Sequence, residues 1–408
     1  MLLFISKIIY SIGIGLYHLF IGIASPFNSK ANSFTKGRLT QDVKAEKEKT
    51  IWFHCASLGE FEQAKPVINW CYNNLKYPII ITFYSPSGYN YRYNYALAKE
   101  VYYLPKDTAL NAKNFVRKIN PAFVFFIKYD FWFYYLNELK NQKTPTYLIS
   151  AIFRDNQLFF NKYGVLHKAI LNCFTHIFVQ NDYSLNLLQN HQFSHCSIAK
   201  DTRFDTVKHI SELNFGNDII ESFIDGNNCL IAGSTWAKDE VILKNIVNEF
   251  SHLKLIIVPH DVNEIRIKQI QKNFKDHTLL SNPIDIKDKK VLIIDSVGKL
   301  SLIYRYATLC YIGGGFNTSV HNVLEAAVYG KALIYGPNHT KSKEAIDLIR
   351  LNAAKCVTNS IELKNAVSYF LDKNNNSSAG STASHYVQEN TGGTFSIIKK
   401  LKEDKIIA

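Results

Sequence analysis

A chain of 408 residues with 47% hydrophobic content is long enough to bury two cores, so two domains of about 180 residues each are expected. Lys+Arg 47 against Asp+Glu 34 leaves a net charge of +13, which points to an acidic partner: nucleic acid, anionic membrane or a phosphorylated substrate. No nucleic-acid-binding module stands out among the 24 Tyr and 27 Phe, so nucleic acid is set aside as a partner.

Residues 1–24 differ from everything after them. Ile8 to Ala24 carries no formal charge beyond that of His18, and a helix of this length reaches across, or nearly across, the hydrocarbon of a bilayer. The following cations, Lys30, Lys36, Arg38, Lys44, Lys47 and Lys49, place the body of the protein on the cytoplasmic side by the positive-inside rule. A cleaved signal peptide ending near Gly22-Ile23-Ala24 is the competing reading. Seven cysteines, odd in number and never paired as C-x-x-C, speak for free thiols in a reducing compartment and against export. The spacing His191-x-x-x-His195-Cys196 suits a metal, but it sits in a polar stretch without a second ligand cluster and reads as a solvated turn.

After a polar linker (28–50), short apolar strands alternate with helical patterns. Strands are expected at 50–54, 79–83, 123–127, 146–150 and 176–180, with helices such as 60–75 and 109–119 between them. Residues 203–228 turn polar and acidic and read as an interdomain linker. A second series of strands follows at 229–232, 253–258, 291–294, 308–312 and 332–335. Residues 373–384 read as a low-complexity polar loop before a last helix. The expected domains are an anchor helix (1–24), an N-terminal α/β domain (25–210) and a C-terminal α/β domain (225–408), each a doubly wound parallel sheet.

The loops at the carboxyl ends of these strands carry the polar chemistry. Gly313-Gly314-Gly315 joins a strand to His321-Asn322-Val323-Leu324-Glu325. Its backbone N–H groups suit a phosphate, and Glu325 suits a ribose diol; a merely tight strand–helix connection is the alternative. Ser57-Leu58-Gly59-Glu60 follows the first strand. In the first turn of a helix the positive dipole end favours ionised Glu60, which is either a base or an ordinary N-terminal helix acid beside a Ser cap. Ser234-Thr235, Pro259-His260 and Val297-Gly298-Lys299 occupy comparable places in the second domain. Lys128 and Asp130 sit in a strongly aromatic segment (131–135) and need partners or a ligand, and Arg154 follows the next strand.

Taken in order, the motifs resemble those of the lipid A Kdo (3-deoxy-D-manno-octulosonic acid) transferases. They run from the N-terminal anchor through His54-Cys55-Ala56-Ser57-Leu58-Gly59-Glu60, Thr82-Phe83-Tyr84-Ser85-Pro86-Ser87-Gly88 and Tyr103-Leu104-Pro105-Lys106-Asp107. They continue with Ala232-Gly233-Ser234-Thr235, His321-Asn322-Val323-Leu324-Glu325 and Gly336-Pro337. The resemblance implies a GT-B architecture, two Rossmann-like domains facing a cleft. It also implies inverting transfer of Kdo from CMP-Kdo to a lipid A precursor at the inner membrane, with no metal or other cofactor. It places the proton acceptor on Glu60 and the CMP contacts on Pro259, His260, Val297, Gly298, Lys299, Asn322, Val323, Leu324 and Glu325. Ser57, Lys128, Asp130, Arg154, Ser234 and Thr235 are further substrate candidates. The chain departs from the family's usual pattern in having His260 for an arginine, Val297-Gly298-Lys299 for Met-Gly-Glu, Lys128-x-Asp130-x-Trp132 for Glu-x-Glu-x-Trp, and Lys200-Asp201 for a Gly-Asn pair. A GT-B transferase using a UDP- or ADP-sugar, and a sugar-nucleotide epimerase, are the rival readings; the apolar residues 1–24 argue against the epimerase.

Overall fold

A computed structural model describes residues 1–408, the side chain at position 247 apart. It divides into two compact units: residues 1–205 together with 392–408, and residues 206–391. Each contains one seven-stranded sheet in which every pair is parallel.

The first sheet comprises β1 (Thr50–Cys55), β2 (Ile79–Phe83), β3 (Glu100–Tyr103), β4 (Pro121–Ile127), β5 (Thr146–Ala151), β6 (His176–Val179) and β7 (Cys196–Ile198). Their order is β3-β2-β1-β4-β5-β6-β7, doubly wound about β1. Near-continuous apolar runs such as Ile79–Phe83 form these strands because helices cover both faces of a parallel sheet. Side chains alternate across it: Trp52, Val124, Phe126 and Leu148 enter one core, while Ile51, Phe53, Phe125 and Tyr147 enter the other.

The second sheet comprises β8 (Asn228–Thr235), β9 (Leu253–Pro259), β10 (His277–Leu279), β11 (Val291–Ile293), β12 (Leu309–Ile312), β13 (Ala332–Tyr335) and β14 (Ala354–Cys356). Its order is β10-β11-β9-β8-β12-β13-β14. The strands that the sequence pattern did not reveal, β3, β7, β10 and β14, are the four sheet edges. Each has three or four residues, too few to show a period.

Three expectations are corrected. Residues 203–228 are not a plain linker; they hold the helices Arg203–Glu212 and Asp218–Ile224, with the division between units after Asp205. The C-terminal domain does not run to residue 408. The helix Gly393–Glu403 returns to the first unit, where Ile397, Ile398 and Leu401 join the core, and the Asp205 carboxylate accepts the backbone N–H groups of Gly392 (2.6 Å) and Thr394 (2.7 Å). Its apolar stripe was visible, but not which sheet it covers. Finally, residues 373–384 are not a loop but part of the helix Lys373–Glu389. Asp372 caps it by accepting the N–H groups of Asn374 and Asn375, and its buried residues are the small Ala379, Gly380 and Ala383 followed by Tyr386 and Val387. Low complexity here reflects a face of small side chains that allows close backbone approach: a Cβ at Gly380 would lie 2.2 Å from the Gly330 carbonyl oxygen.

The N-terminal helix Leu2–Ala24 buries none of its residues, and by length and composition it could cross a membrane. Its middle is nonetheless tied to the first unit. The Tyr10 hydroxyl donates to Asp107 (2.5 Å), and the Ser11 and Tyr134 hydroxyls pair at 2.5 Å. Leu2, Ile9, Ile12, Phe20 and Ile23, at helical spacing on the opposite side, are 57–66% exposed. The helix therefore lies along the unit and turns an unpaired apolar stripe outward.

The close contact at Gly380 has a measurable consequence. Gly380→Ala, although alanine is the better helix former by about 1 kcal/mol, is expected to lower the unfolding free energy by about 1–3 kcal/mol in urea denaturation. Gly216→Ala, whose Cβ meets nothing nearer than 3.9 Å, is expected to change it by less than about 0.5 kcal/mol. Equal effects at the two positions would contradict the packing described.

Candidate functional site

In the first unit, β1 empties through Ala56 into Ser57, whose extended backbone makes it the cap of the helix Leu58–Asn74. The Ser57 hydroxyl oxygen accepts the Gly59 N–H (3.3 Å), and the hydroxyl donates to the Glu60 carboxylate. Glu60 thus sits in the first turn, partly exposed and oriented by its own cap. Because β1 and β4 are neighbours in register, His54 beside Phe126, this turn lies next to Lys128–Trp132. Lys128 adopts a left-handed backbone (φ 65°), and its ammonium stands 5.4 Å from the Tyr129 ring centre. Tyr129 feels both Arg154 and Glu60. Its hydroxyl pKa is raised mainly by burial and further by Glu60, against the lowering effect of Arg154. Those groups share one electrostatic neighbourhood.

Behind them is a buried polar chain. The Trp132 indole N–H donates to His54 Nε2 (3.0 Å), which makes His54 the Nδ1–H tautomer, donating to Thr82 Oγ1 at 2.8 Å. Thr82 also accepts the Trp52 N–H at 2.8 Å. Asp130 Oδ2 lies 2.9 Å from the same His54 nitrogen, but without hydrogen-bond alignment, so this oxygen is a buried acceptor with no donor among the described residues. A ligand hydroxyl would satisfy it. Cys55 is no nucleophile: burial first, then the Glu60 and Asp130 carboxylates, raise its thiol pKa well above the ordinary value. One turn beyond Glu60, the Gln63 side-chain amide donates to Asp201 (3.0 Å), as do Gln180 (3.2 Å) and the Arg203 guanidinium (2.7 and 3.0 Å). Burial alone would raise the Asp201 carboxyl pKa, but Arg203 and these donors hold it below the ordinary value. This hub pins the start of the helix that presents Glu60.

In the second unit two of the three glycine amides that one reading of the sequence offered to a phosphate are used within the protein. The Gly313 N–H donates to Gly233 O (2.8 Å), and the Gly314 N–H donates to Asp239 Oδ2 (3.0 Å). The glycines are required by proximity: a Cβ at Gly313 would lie 2.3 Å from Ser234 O, one at Gly315 2.5 Å from Gly336 N, and Gly314 has φ 89°. Asp239, wholly buried, also accepts the Trp236 N–H (2.9 Å) and the Tyr311 hydroxyl (2.8 Å). Thr235 is withdrawn from the substrate candidates, since its hydroxyl is buried and donates to Glu240 (3.0 Å), itself paired with Arg266. Ser234 keeps a left-handed backbone (φ 54°) at the end of β8.

His260 stacks on both Trp236 and His321, with ring centres 4.6 Å apart in each pair, and the Trp236 indole N–H donates to His321 Nε2 at 3.0 Å. Burial, then His260, lowers the His321 pKa to about 4; burial also lowers that of His260. The Asn322 side-chain amide donates to Glu325 (3.1 Å), and its carbonyl oxygen accepts the Leu324 N–H (3.2 Å). The helix beyond is a single turn, Leu324–Ala327, shorter than its apolar sequence suggested. Val297 is 77% exposed, and Gly298 turns with φ 85° ahead of Lys299.

The structure thus gathers Ser57, Glu60, Lys128, Asp130 and Arg154 on one sheet edge, and His260, Val297–Lys299, Asn322 and Glu325 on the carboxyl edge of the other. Sequence reasoning did not single out Asp239, Trp236 or His321 as site residues; a tryptophan and a histidine in glycine- and hydroxyl-rich turns were the available signal. The His191/His195 spacing serves packing: His191 lies against Phe160, and His195 Nε2 meets Leu171 O at 3.1 Å.

Residues 33–206 match the family model described as 3-deoxy-D-manno-octulosonic-acid transferase. A 3-deoxy-D-manno-octulosonic acid transferase of Rickettsia felis is 27% identical over 345 residues, covering 80% of this chain and 72% of that protein. One from Chlamydia trachomatis serovar A is 25% identical over 355 residues, covering 81% and 79%. Among solved structures, a UDP-GlcNAc 2-epimerase from Neisseria meningitidis, bound to UDP-GlcNAc, superposes with a TM-score of 0.59 at 15% identity, covering 87% of this chain and 100% of its own. That likeness concerns the fold, which is of the GT-B class. The residues that match this family model contain the Ser57–Glu60 turn and the aromatic loop after β4, and the chain as a whole is similar to 3-deoxy-D-manno-octulosonic acid transferases.

Proposed function

We propose that this protein transfers Kdo from CMP-Kdo to a lipid A precursor, by a single inverting displacement at the cytoplasmic face of the inner membrane. The observation that carries the reading is Glu60, held by Ser57 in the first turn after β1 in the segment that matches the family. In this mechanism the Glu60 carboxylate takes the proton of an acceptor hydroxyl as its oxygen bonds to the anomeric carbon. The bond from that carbon to the phosphate breaks on the opposite side, and CMP leaves with the electron pair. Asp130 Oδ2, a buried acceptor with no donor among the described residues, supplies a second place for an acceptor hydroxyl.

CMP is assigned to Pro259-His260, Val297-Gly298-Lys299 and Asn322-Val323-Leu324-Glu325, with its ribose on Glu325. A single phosphate can be met by fixed donors and lysines without a metal. The outward apolar stripe of the N-terminal helix, with exposed Lys30 and Lys36 in the helix Ser29–Thr40 that follows, suits an in-plane seat on an anionic bilayer.

Glu60→Gln is expected to lower kcat by about 10²- to 10⁴-fold while leaving the thermal shift given by CMP in place. Near-normal transfer by the variant, from CMP-Kdo to a tetra-acylated acceptor followed by mass spectrometry, would remove Glu60 from the role. CMP should raise Tm where UDP and ADP do not, and the reverse would favour another sugar nucleotide. Because the His321 pKa is lowered to about 4, against about 6.5 in an unfolded chain, its contribution to stability is present above about pH 6.5 and is lost as pH falls through about 4. That contribution should accordingly be unchanged from pH 8 to 6.5 in denaturant unfolding; histidine NMR signals showing His321 titrating near neutrality would contradict this.

A further inference from the structure

Beside the glycine loop of the second unit lies a cavity of about 480 Å³, lined by Trp236, Lys238, Gly314, Thr318, Ser319 and His321 among others. It opens at the carboxyl ends of β8 and β12, the adjacent central strands, next to the Asn322–Glu325 turn assigned to the nucleotide. None of the residues given to CMP lines it.

Three features make it a built site. Its wall is aromatic: the Trp236 and His321 rings are parallel to within 10° and joined by the indole N–H. His260 covers the back of both rings and does not reach the cavity, so the other face of the pair is the one presented. The floor is rigid, because buried Asp239 holds the amides of Gly314 and Trp236 together. Its polar lining is made of side chains. The amides of Gly313 and Gly314 are already taken, and the neighbouring acids Asp239 and Glu240 are buried, Asp239 accepting from the fold and Glu240 paired with Arg266 through Oε1. An anion entering here therefore meets the Lys238 ammonium, exposed at the rim and engaged by no hydrogen bond or ion pair among the described residues, and the hydroxyls of Thr318 and Ser319.

We propose that this cavity is the subsite for the sugar acid of the donor: its carboxylate is paired with Lys238, its hydroxyls with Thr318 and Ser319, and its C–H face laid on the Trp236–His321 wall. The volume fits one eight-carbon sugar better than a whole sugar nucleotide, within the ordinary range of ligand pockets. The assignment rests on the reading of the donor as CMP-Kdo and adds to it the residues that distinguish an acidic sugar from a neutral one. A cation paired with a carboxylate is a charge-assisted contact whose loss costs roughly tenfold to a hundredfold in affinity.

The test uses the full-length protein in detergent, with CMP-Kdo generated in situ, CMP alone and free Kdo as separate probes. Lys238→Gln should raise KM for CMP-Kdo by about tenfold or more, with Lys238→Arg recovering most of it, while the affinity for CMP alone stays within about threefold. Free Kdo should quench the fluorescence of the half-exposed Trp236 in the native protein, and the quench should weaken in Lys238→Gln. Because Lys238 is exposed, an unchanged Tm is expected, and a variant with lowered Tm is replaced by Lys238→Met. If transfer by the native protein is intact and Lys238→Gln keeps its KM for CMP-Kdo within twofold, the subsite assignment is overturned. It is equally overturned if CMP alone is weakened as much as CMP-Kdo. A native protein that binds CMP and transfers no Kdo defeats instead the donor reading beneath it.

Discussion

A turn that leaves the edge of a buried parallel sheet carries backbone N–H groups away from water, and each must find an acceptor. In this protein the acceptor at the critical turn is a carboxylate: Asp239 takes the amides of Gly314 and Trp236 and the Tyr311 hydroxyl. Burial raises its pKa, and those three donors together with Arg266 offset only part of the rise. The arrangement fixes the glycine loop against β8 and sets the Trp236 ring beside His321. It also explains why the glycines are there: close backbone contact excludes a Cβ, and the amides of Gly313 and Gly314 are spent on holding the fold.

The first unit solves the same problem differently. Its reactive turn is capped by a serine that also orients the glutamate, and the helix behind is fixed by the Asp201 hub through Gln63. Where the family usually carries Gly-Asn, the charged Asp201 has a guanidinium bonded through two nitrogens as its partner. A buried charge with its counter-charge and two amide donors is tolerable; alone it would not be. Asp130 Oδ2, in the same loop as Lys128, is one of the buried acceptors left unmatched, as is Gln63 Oε1. Unsatisfied buried polar atoms cluster where ligands bind, because a ligand completes them.

The two units also differ in how they use aromatic residues. In the first, Trp52, Phe115, Phe126 and Tyr135 make a packed interior with edge-to-face contacts. In the second, the rings of Trp236, His260 and His321 stack at the sheet edge, where Trp236 remains 37% exposed. The departure from arginine at His260 is intelligible in that setting. The planar imidazole backs two other rings at 4.6 Å, a stacking place that the planar guanidinium of arginine could also take. The lowered histidine values follow from the same burial.

The order of strands and helices, the apolar N-terminal helix and the places where polar residues leave the sheets were legible in the sequence, because each rests on a local period or on a turn residue. Short edge strands were not, nor was the helix Lys373–Glu389, whose polar, small-residue composition hides a face that packs only because Gly330 comes to meet it. The sequence could not tell that Thr235 points inward, that Gly314 gives its amide to Asp239, or that the last helix returns to the first unit. Those outcomes depend on partners 5 to 189 positions away along the chain. Local composition determined which residues stand at the strand ends; long-range packing decided which of them are spent on the fold and which remain open to a ligand.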